Sequence, residues 1–464
     1  MGYSRGSRRL VQLVAGIGSA ISPFLVGAMI VAAPTIGKDF GADVSMLSWL
    51  TAAFFLAAAA GLLPFGRVAD IKGAQRVFTL GIAIYLISNL LCAIAPNMLV
   101  LIAGRALTGV GAGMVFGTSI ALLGLVFPSA DRGKAIGLNV TAMFIGFILG
   151  NLAGGFLTFY LSWRVLFVLA AGVAALDLAL ISLRVRQECE LSLKHDYDPI
   201  GMLAYAGAIF LLFYGLSQIG HLTGLAWFAA GALLLLGFVL WERRHPNPLI
   251  PKGISKSRDF AWAAGSNLTF QGGTFAIPFL LSLQFQYVSD LDSRIAGILL
   301  IIPQAVMIVL GPIGGRLSDK VLPRRVAGLG CLISLVGTLI LVFVSEGTSL
   351  TMLIIVLLLG GIGTALFMPA VLNWTLRGVP RETYNIASSM TETSRMAGMT
   401  LSNAVVIVVF GLLMGTATVG PDNLPQFISS MNVTAVIFVL MASLCAAMAF
   451  GVFDSLLRSR KVGR

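Results

Sequence analysis

Apolar runs of about twenty residues follow one another along nearly the whole of this 464-residue chain, broken by short segments that hold most of the charge. A run of that length crosses the hydrocarbon core of a bilayer, about 30 Å thick, as one helix. The helix is the open-chain answer there because it satisfies its own backbone hydrogen bonds. Composition rules out the soluble alternative. The chain is 58% hydrophobic and 11% charged, whereas a soluble domain covers itself with about 25% charged residues.

Charged or Pro/Gly-bearing breaks mark fourteen expected spans: Leu10–Pro34, Met46–Phe65, Val77–Ala95, Met98–Val126, Ala135–Tyr160, Trp163–Leu183, Pro199–Gln218, Thr223–Trp241, Phe260–Phe285, Arg294–Leu317, Val326–Val344, Leu350–Asn373, Asn385–Gly415 and Phe427–Phe453. The first follows Arg5, Arg8 and Arg9 like a signal peptide. Its apolar run is too long for one and no small-residue cleavage site follows, so it reads as a retained span.

The net charge of +12 reports topology rather than a nucleic-acid partner. Lys38, Arg164 and Arg294 fall on one face of the expected membrane and Arg105 and Arg395 lie inside spans, which leaves 26 of the 31 basic residues on the other face. The positive-inside rule then places both termini in the cytoplasm, as an even number of spans requires.

Chemistry other than transport finds no support. Cys92, Cys189, Cys331 and Cys445 show no paired spacing, and His195, His221 and His245 are scattered. Neither a disulfide framework nor a metal site is expected, and no catalytic cluster marks an enzyme. A GxxxxGK[ST] phosphate loop is missing, so energy must come from an ion gradient or from the solute itself. No cofactor and no obligatory protein partner are expected.

The chain repeats itself. Gly66-Arg-Val-Ala-Asp70 closes the second span and Gly315-Arg-Leu-Ser-Asp319 the tenth. Gly109, Gly111 and Gly113 in the fourth span answer to Gly361, Gly363 and Ala365 in the twelfth. The expected fold is therefore an all-α polytopic membrane protein. Two six-helix bundles, residues 1–186 and 259–464, stand in a pseudo-twofold arrangement with a linker carrying two extra helices in 187–258. Parallel repeats around a midplane site are an established transporter plan.

Several motifs carry chemistry. In Gly66-Arg-Val-Ala-Asp70-Ile-Lys-Gly73-Ala-Gln-Arg76 the glycines permit a tight turn, Asp70 faces a helix N-terminus and Arg76 balances charge. Arg105 opens Arg-Ala-Leu-Thr-Gly-Val-Gly-Ala-Gly inside a span, where a cation costs at least about 2.5 kcal/mol and marks function. The fifth span spaces Gly137, Gly146, Gly150, Gly154 and Gly155 for close helix contact, with Asn151 after the third. Glu392 and Arg395, three residues apart, share a helix face.

These motifs, with Ala33-Pro34-Thr35-Ile36, Trp49, Trp163-Arg164, Gln286, Ala296-Gly297, Pro303 and Thr393-Ser394-Arg395, resemble the major facilitator superfamily, and within it the fourteen-helix multidrug:proton antiporter branch. The resemblance implies a multi-pass exporter of drugs or other apolar or cationic compounds in the cell membrane, exchanging them for protons. It makes the Asp70 loop, with its shorter copy at Gly315 and Asp319, a conformational latch. It makes the fifth-span glycines an antiporter motif and Arg105 a coupling residue. Two departures matter: Asn151 stands where those exporters carry proline, and Leu25 and Ile30 stand where many carry an aspartate and an asparagine. Proton coupling then falls to Arg105, Asp177, Glu392 and Arg395. For solute contacts the residues offer Phe24, Met29, Asn267, Phe270, Gln271 and Gln284. A same-fold transporter or facilitator of a lipid or metabolite without proton coupling is the alternative reading.

Overall fold

The computed structural model describes residues 5–127, 129–184, 198–217, 222–244, 257–379 and 384–451, and none of these is in a strand. The helices are α1 (Arg5–Phe40), α2 (Val44–Lys72), α3 (Ala74–Ala93), α4 (Met98–Val126), α5 (Ser129–Tyr160), α6 (Arg164–Arg184), α7 (Pro199–Ser217), α8 (Leu222–Arg244), α9 (Arg258–Thr274), α10 (Ile277–Leu283), α11 (Ser293–Leu299), α12 (Ile302–Lys320), α13 (Pro323–Leu341), α14 (Leu350–Arg377), α15 (Tyr384–Leu413) and α16 (Leu424–Phe450). The protein is a multi-pass all-α membrane protein.

Sequence signals place the helix starts. Asp43 Oδ1 accepts the Met46 N–H at 2.8 Å, Asn97 Oδ1 the Val100 N–H at 2.9 Å, and Asp198 Oδ1 the Gly201 N–H at 2.9 Å. Each cap satisfies one of the donors that a helix start leaves without an internal partner. One expected stop fails. Pro34 does not close the first helix, which runs on to Phe40. A proline ring in a span frees one carbonyl, which packed neighbouring helices can serve.

Among the described residues, thirteen helices are long and apolar enough to cross a membrane, with α11 and α12 counted as one run from Ser293 to Lys320. The expected ninth span, Phe260–Phe285, is interrupted. It breaks after Thr274, restarts as α10, and passes into a π-helical turn over Gln284–Val288. Gly272 and Gly273 precede the break and Pro278 follows it. The Ala276 N–H at the break donates instead to Ser402 Oγ of α15 at 3.0 Å.

Two compact units emerge: residues 1–249 with 290–298, and residues 250–289 with 299–464. In the first, α1 lies along α5, α2 along α4, and α3 against both α4 and α6. In the second, α9 lies along α15, α12 along α14, and α13 against both α14 and α16. Span for span this is the same pairing scheme. The glycine repeat explains it physically. A Cβ on Gly111 would sit 2.8 Å from the Gly81 carbonyl of α3, and one on Gly363 2.6 Å from the Gly330 carbonyl of α13. The inserted pair α7–α8 packs on itself and on α2, with Trp49 and Tyr214 6.2 Å apart.

Candidate functional site

In the first unit, α1 and α5 approach backbone to backbone. A Cβ on Gly154 would lie 2.7 Å from the Ala28 carbonyl oxygen, and one on Gly146 or Gly150 would overlap the carbonyls of Ala20 or Phe24. The steps Ala20, Phe24, Ala28 and Gly146, Gly150, Gly154 are both one helical turn, so the two stripes mesh along their length. Asn151 is buried beside this seam against Gly27. Gly155 faces the carbonyl of Ser293, whose hydroxyl donates to the Gly155 carbonyl at 3.0 Å. Gly137 stands apart, with open space where a side chain would be. Phe24 is half-buried and Met29 fully buried on α1.

Arg105 is 0% exposed on α4. Its Nε donates to the Leu50 carbonyl at 3.1 Å and its guanidinium lies 4.7 Å above the Phe54 ring. Neither terminal nitrogen meets an acceptor among the described residues. Asp177 of α6 is equally enclosed, with no donor to either oxygen among the described residues. At the opposite end of α6, Trp163 donates to Asp39 Oδ2 at 2.7 Å, and Arg164 stacks on Trp163 while donating to the Ala95 carbonyl at 3.1 Å.

The loop between α2 and α3 is a single residue. Gly73 has φ +95°, outside the range open to a side-chain-bearing residue, and its N–H bonds the Ala69 carbonyl at 2.9 Å. Gly66 and the exposed Arg76 flank it, while the Asp70 side chain lies outside the described residues. The second copy is tied down differently. Asp319 Oδ1 and the Ser318 hydroxyl both accept from Asn373 Nδ2 of α14, at 3.0 and 2.6 Å, and Gly315 lies beside Pro369 of the same helix.

In the second unit, Glu392 and Arg395 form the expected pair. Arg395 Nε donates to Glu392 Oε2 at 2.8 Å, and Nη2 pairs with Oε1. The Glu392 side chain keeps 31% of its surface exposed. Asn267 Nδ2 donates to the Thr391 carbonyl at 2.8 Å, which ties α9 to the same stretch of α15. Gln271 Nε2 reaches the Met368 sulfur at 3.5 Å. Phe270 stacks on Phe367 at 3.9 Å inside the core and is fully enclosed. Gln284 opens the π turn, buried, with its side-chain oxygen lacking a donor among the described residues.

Sequence reading missed three features. The broken helix was signalled only by Gly272-Gly273 and Pro278. Cys331 and Cys445, far apart in the chain, share the second unit's core, where the Cys445 thiol donates to the Ser266 carbonyl at 3.3 Å. Arg294 reaches the Tyr160 hydroxyl at 2.8 Å, lies over the Phe159 ring, and bonds Asp292 at 2.7 Å. That bond from Arg294 holds the Asp292 carboxyl below its usual range.

A family model described as Major Facilitator Superfamily matches residues 15–403. The chain belongs to the major facilitator superfamily. Among curated relatives, the riboflavin transporter RibZ of Clostridioides difficile (strain 630) is 26% identical, over 85% of this chain and 86% of its own length. The multidrug resistance protein Stp of Mycobacterium tuberculosis (strain H37Rv) is 28% identical, over 85% and 75%. The crystal structure of a bacterial homolog to the human lysosomal transporter Spinster superposes with a TM-score of 0.71 at 17% identity, covering 98% of this chain and 99% of that one. That likeness carries the superfamily fold alone.

Proposed function

We propose that this superfamily member exports drug-like apolar or cationic compounds across the cell membrane in exchange for protons, with both termini in the cytoplasm. The observation that carries the reading is the contact between Glu392 and Arg395 inside a span, with the acid's side chain 31% exposed. An embedded ion pair is costly and marks function. A carboxyl that surrenders its cation to take a proton is what an exchanger requires, because proton and solute must displace each other. Glu392 is the proton carrier on this reading, Arg395 its counter-charge, and Arg105 the buried cation of the first unit. On this reading Asn267, Gln271 and Gln284 of the broken ninth span are the second unit's solute contacts, since discontinuous helices are where transporters commonly bind. Phe270, stacked on Phe367, supports that stretch of the span. Purified protein in liposomes tests the reading: efflux of ethidium should rise at least severalfold when a pH gradient is imposed, and a rate indifferent to the gradient refutes it.

The similarity to a riboflavin transporter supports a second reading, a metabolite carrier on the same fold. Riboflavin flux with no ethidium flux in the same liposomes selects it.

Orientation follows from the basic excess on one face. In intact cells an impermeant thiol reagent should label Gly347→Cys, in the exposed turn between α13 and α14, and leave Ser192→Cys unlabelled. The reverse pattern inverts the topology.

The two loop copies should differ. Asp70→Asn should cut turnover about tenfold or more at unchanged expression, since a latch acts through a population shift and each 1.4 kcal/mol is a factor of ten. Asp319→Asn keeps a side-chain oxygen able to accept from Asn373 and should cost little. Equal turnover of Asp70→Asn and wild type removes the latch role.

A further inference from the structure

Asp177 is unlike the other buried acids of the first unit. Asp43 caps α2, Asp198 caps α7 and accepts the Trp241 indole N–H at 2.9 Å, and Glu242 also has a partner. Asp177 is 0% exposed, and neither carboxyl oxygen meets a donor among the described residues. Its space is made by Gly18 of α1. A Cβ there would lie 3.1 Å from Asp177 Oδ2, 2.6 Å from the Phe78 ring and 3.2 Å from Ile82, both of α3.

Charge neutrality narrows what this carboxyl can hold. The described ionisable residues on the elements packed against it are Arg8, Arg9, Lys38 and Asp39 on α1, Arg76, Tyr85 and Cys92 on α3, and Asp131, Lys134 and Tyr160 on α5, with Arg164 on α6 itself. None donates to Asp177. An ionised carboxylate left without a partner in such a place is heavily penalised. A metal cation needs a shell of about six oxygen ligands, against the two of one carboxyl facing a ring, an aliphatic chain and a glycine. A proton needs one oxygen and no added room.

The geometry points to a second proton site at Asp177, closed between α1, α3 and α6: the carboxylate takes a proton from water when this seam parts and is shut in as the neutral acid when it closes. The inference rests on the proton exchange proposed above and adds one transported proton to it. Glu392 links a proton to solute, and Asp177 links a proton to the movement of α1 and α6 past α3.

Two measurements on full-length protein in lipid test it. Infrared pH-difference spectra of wild type should contain the carbonyl stretch of a buried carboxylic acid that Asp177→Asn lacks; an identical band in both proteins overturns the site. In liposomes with the membrane potential clamped at zero, each exchanged proton multiplies the limiting ethidium accumulation by about ten per pH unit. Asp177→Asn should lower that slope by about one factor of ten per pH unit, and Asp177→Leu, which fills the space without a proton, should do the same. An unchanged slope in both variants, with wild type still responding, overturns the inference and leaves proton exchange standing. A flat wild-type response overturns the exchange reading, and with it any transported proton at Asp177.

Discussion

Gly150→Val should leave little folded transporter in the membrane, while Gly137→Val should be recovered like wild type. Both glycines belong to one motif, yet the structure separates them. The first atom of a side chain at Gly150 would overlap the Phe24 carbonyl of α1, and one at Gly137 meets nothing. Overpacking in a close-packed interior costs about 1–3 kcal/mol when side chains can give way. Here the obstacle is backbone, which no rotamer change relieves, so the upper part of that range applies and the loss of folded protein should reach about tenfold or more. Size-exclusion recovery of the detergent-extracted protein reads it directly. Equal recovery of the two variants would mean that α1 and α5 do not meet along this seam.

Glu392→Gln should abolish accumulation against a gradient while downhill exchange of solute stays measurable. The amide keeps the shape of the side chain and its contact with Arg395, but it cannot take up and release a proton. Arg395 then keeps its charge in every state with no anion bonded to it, and solute exchange no longer waits on proton release. Truncating one member of an embedded pair leaves the other uncompensated, so the variant Glu392→Gln with Arg395→Gln controls for that penalty. It should regain expression but not uphill transport. If Glu392→Gln still concentrates solute with an unchanged pH dependence, the pair is a structural tie within α15.

Much of this architecture is written in local patterns. Spans announce themselves by length and apolarity, because a bilayer leaves the backbone few options. The twofold use of Gly-Arg-x-x-Asp and of paired glycines foretold that the second unit would repeat the packing of the first, and the pairing scheme of α9–α16 does so. The contact Glu392–Arg395 was legible too, since three residues on a helix fix a shared face. What stayed hidden depends on non-local packing. Gly272, Gly273 and Pro278 permit a break, but it exists because Ser402, 126 residues away, takes the freed N–H. Pro34 looked like an end, but the helix runs on to Phe40. The isolation of Asp177 could not be read either, because a lone acid in an apolar run looks alike whether or not a partner comes from another helix.

Coupling is reciprocal: if protons drive solute, solute must drive protons. Liposomes loaded with protein and a trapped pH indicator, given a steep ethidium gradient at equal pH on both sides and zero membrane potential, test this most directly. The account predicts a pH change inside that grows with the ethidium gradient, runs opposite in direction to the dye, and disappears in Glu392→Gln. Ethidium moving down its gradient with the internal pH unmoved would contradict it.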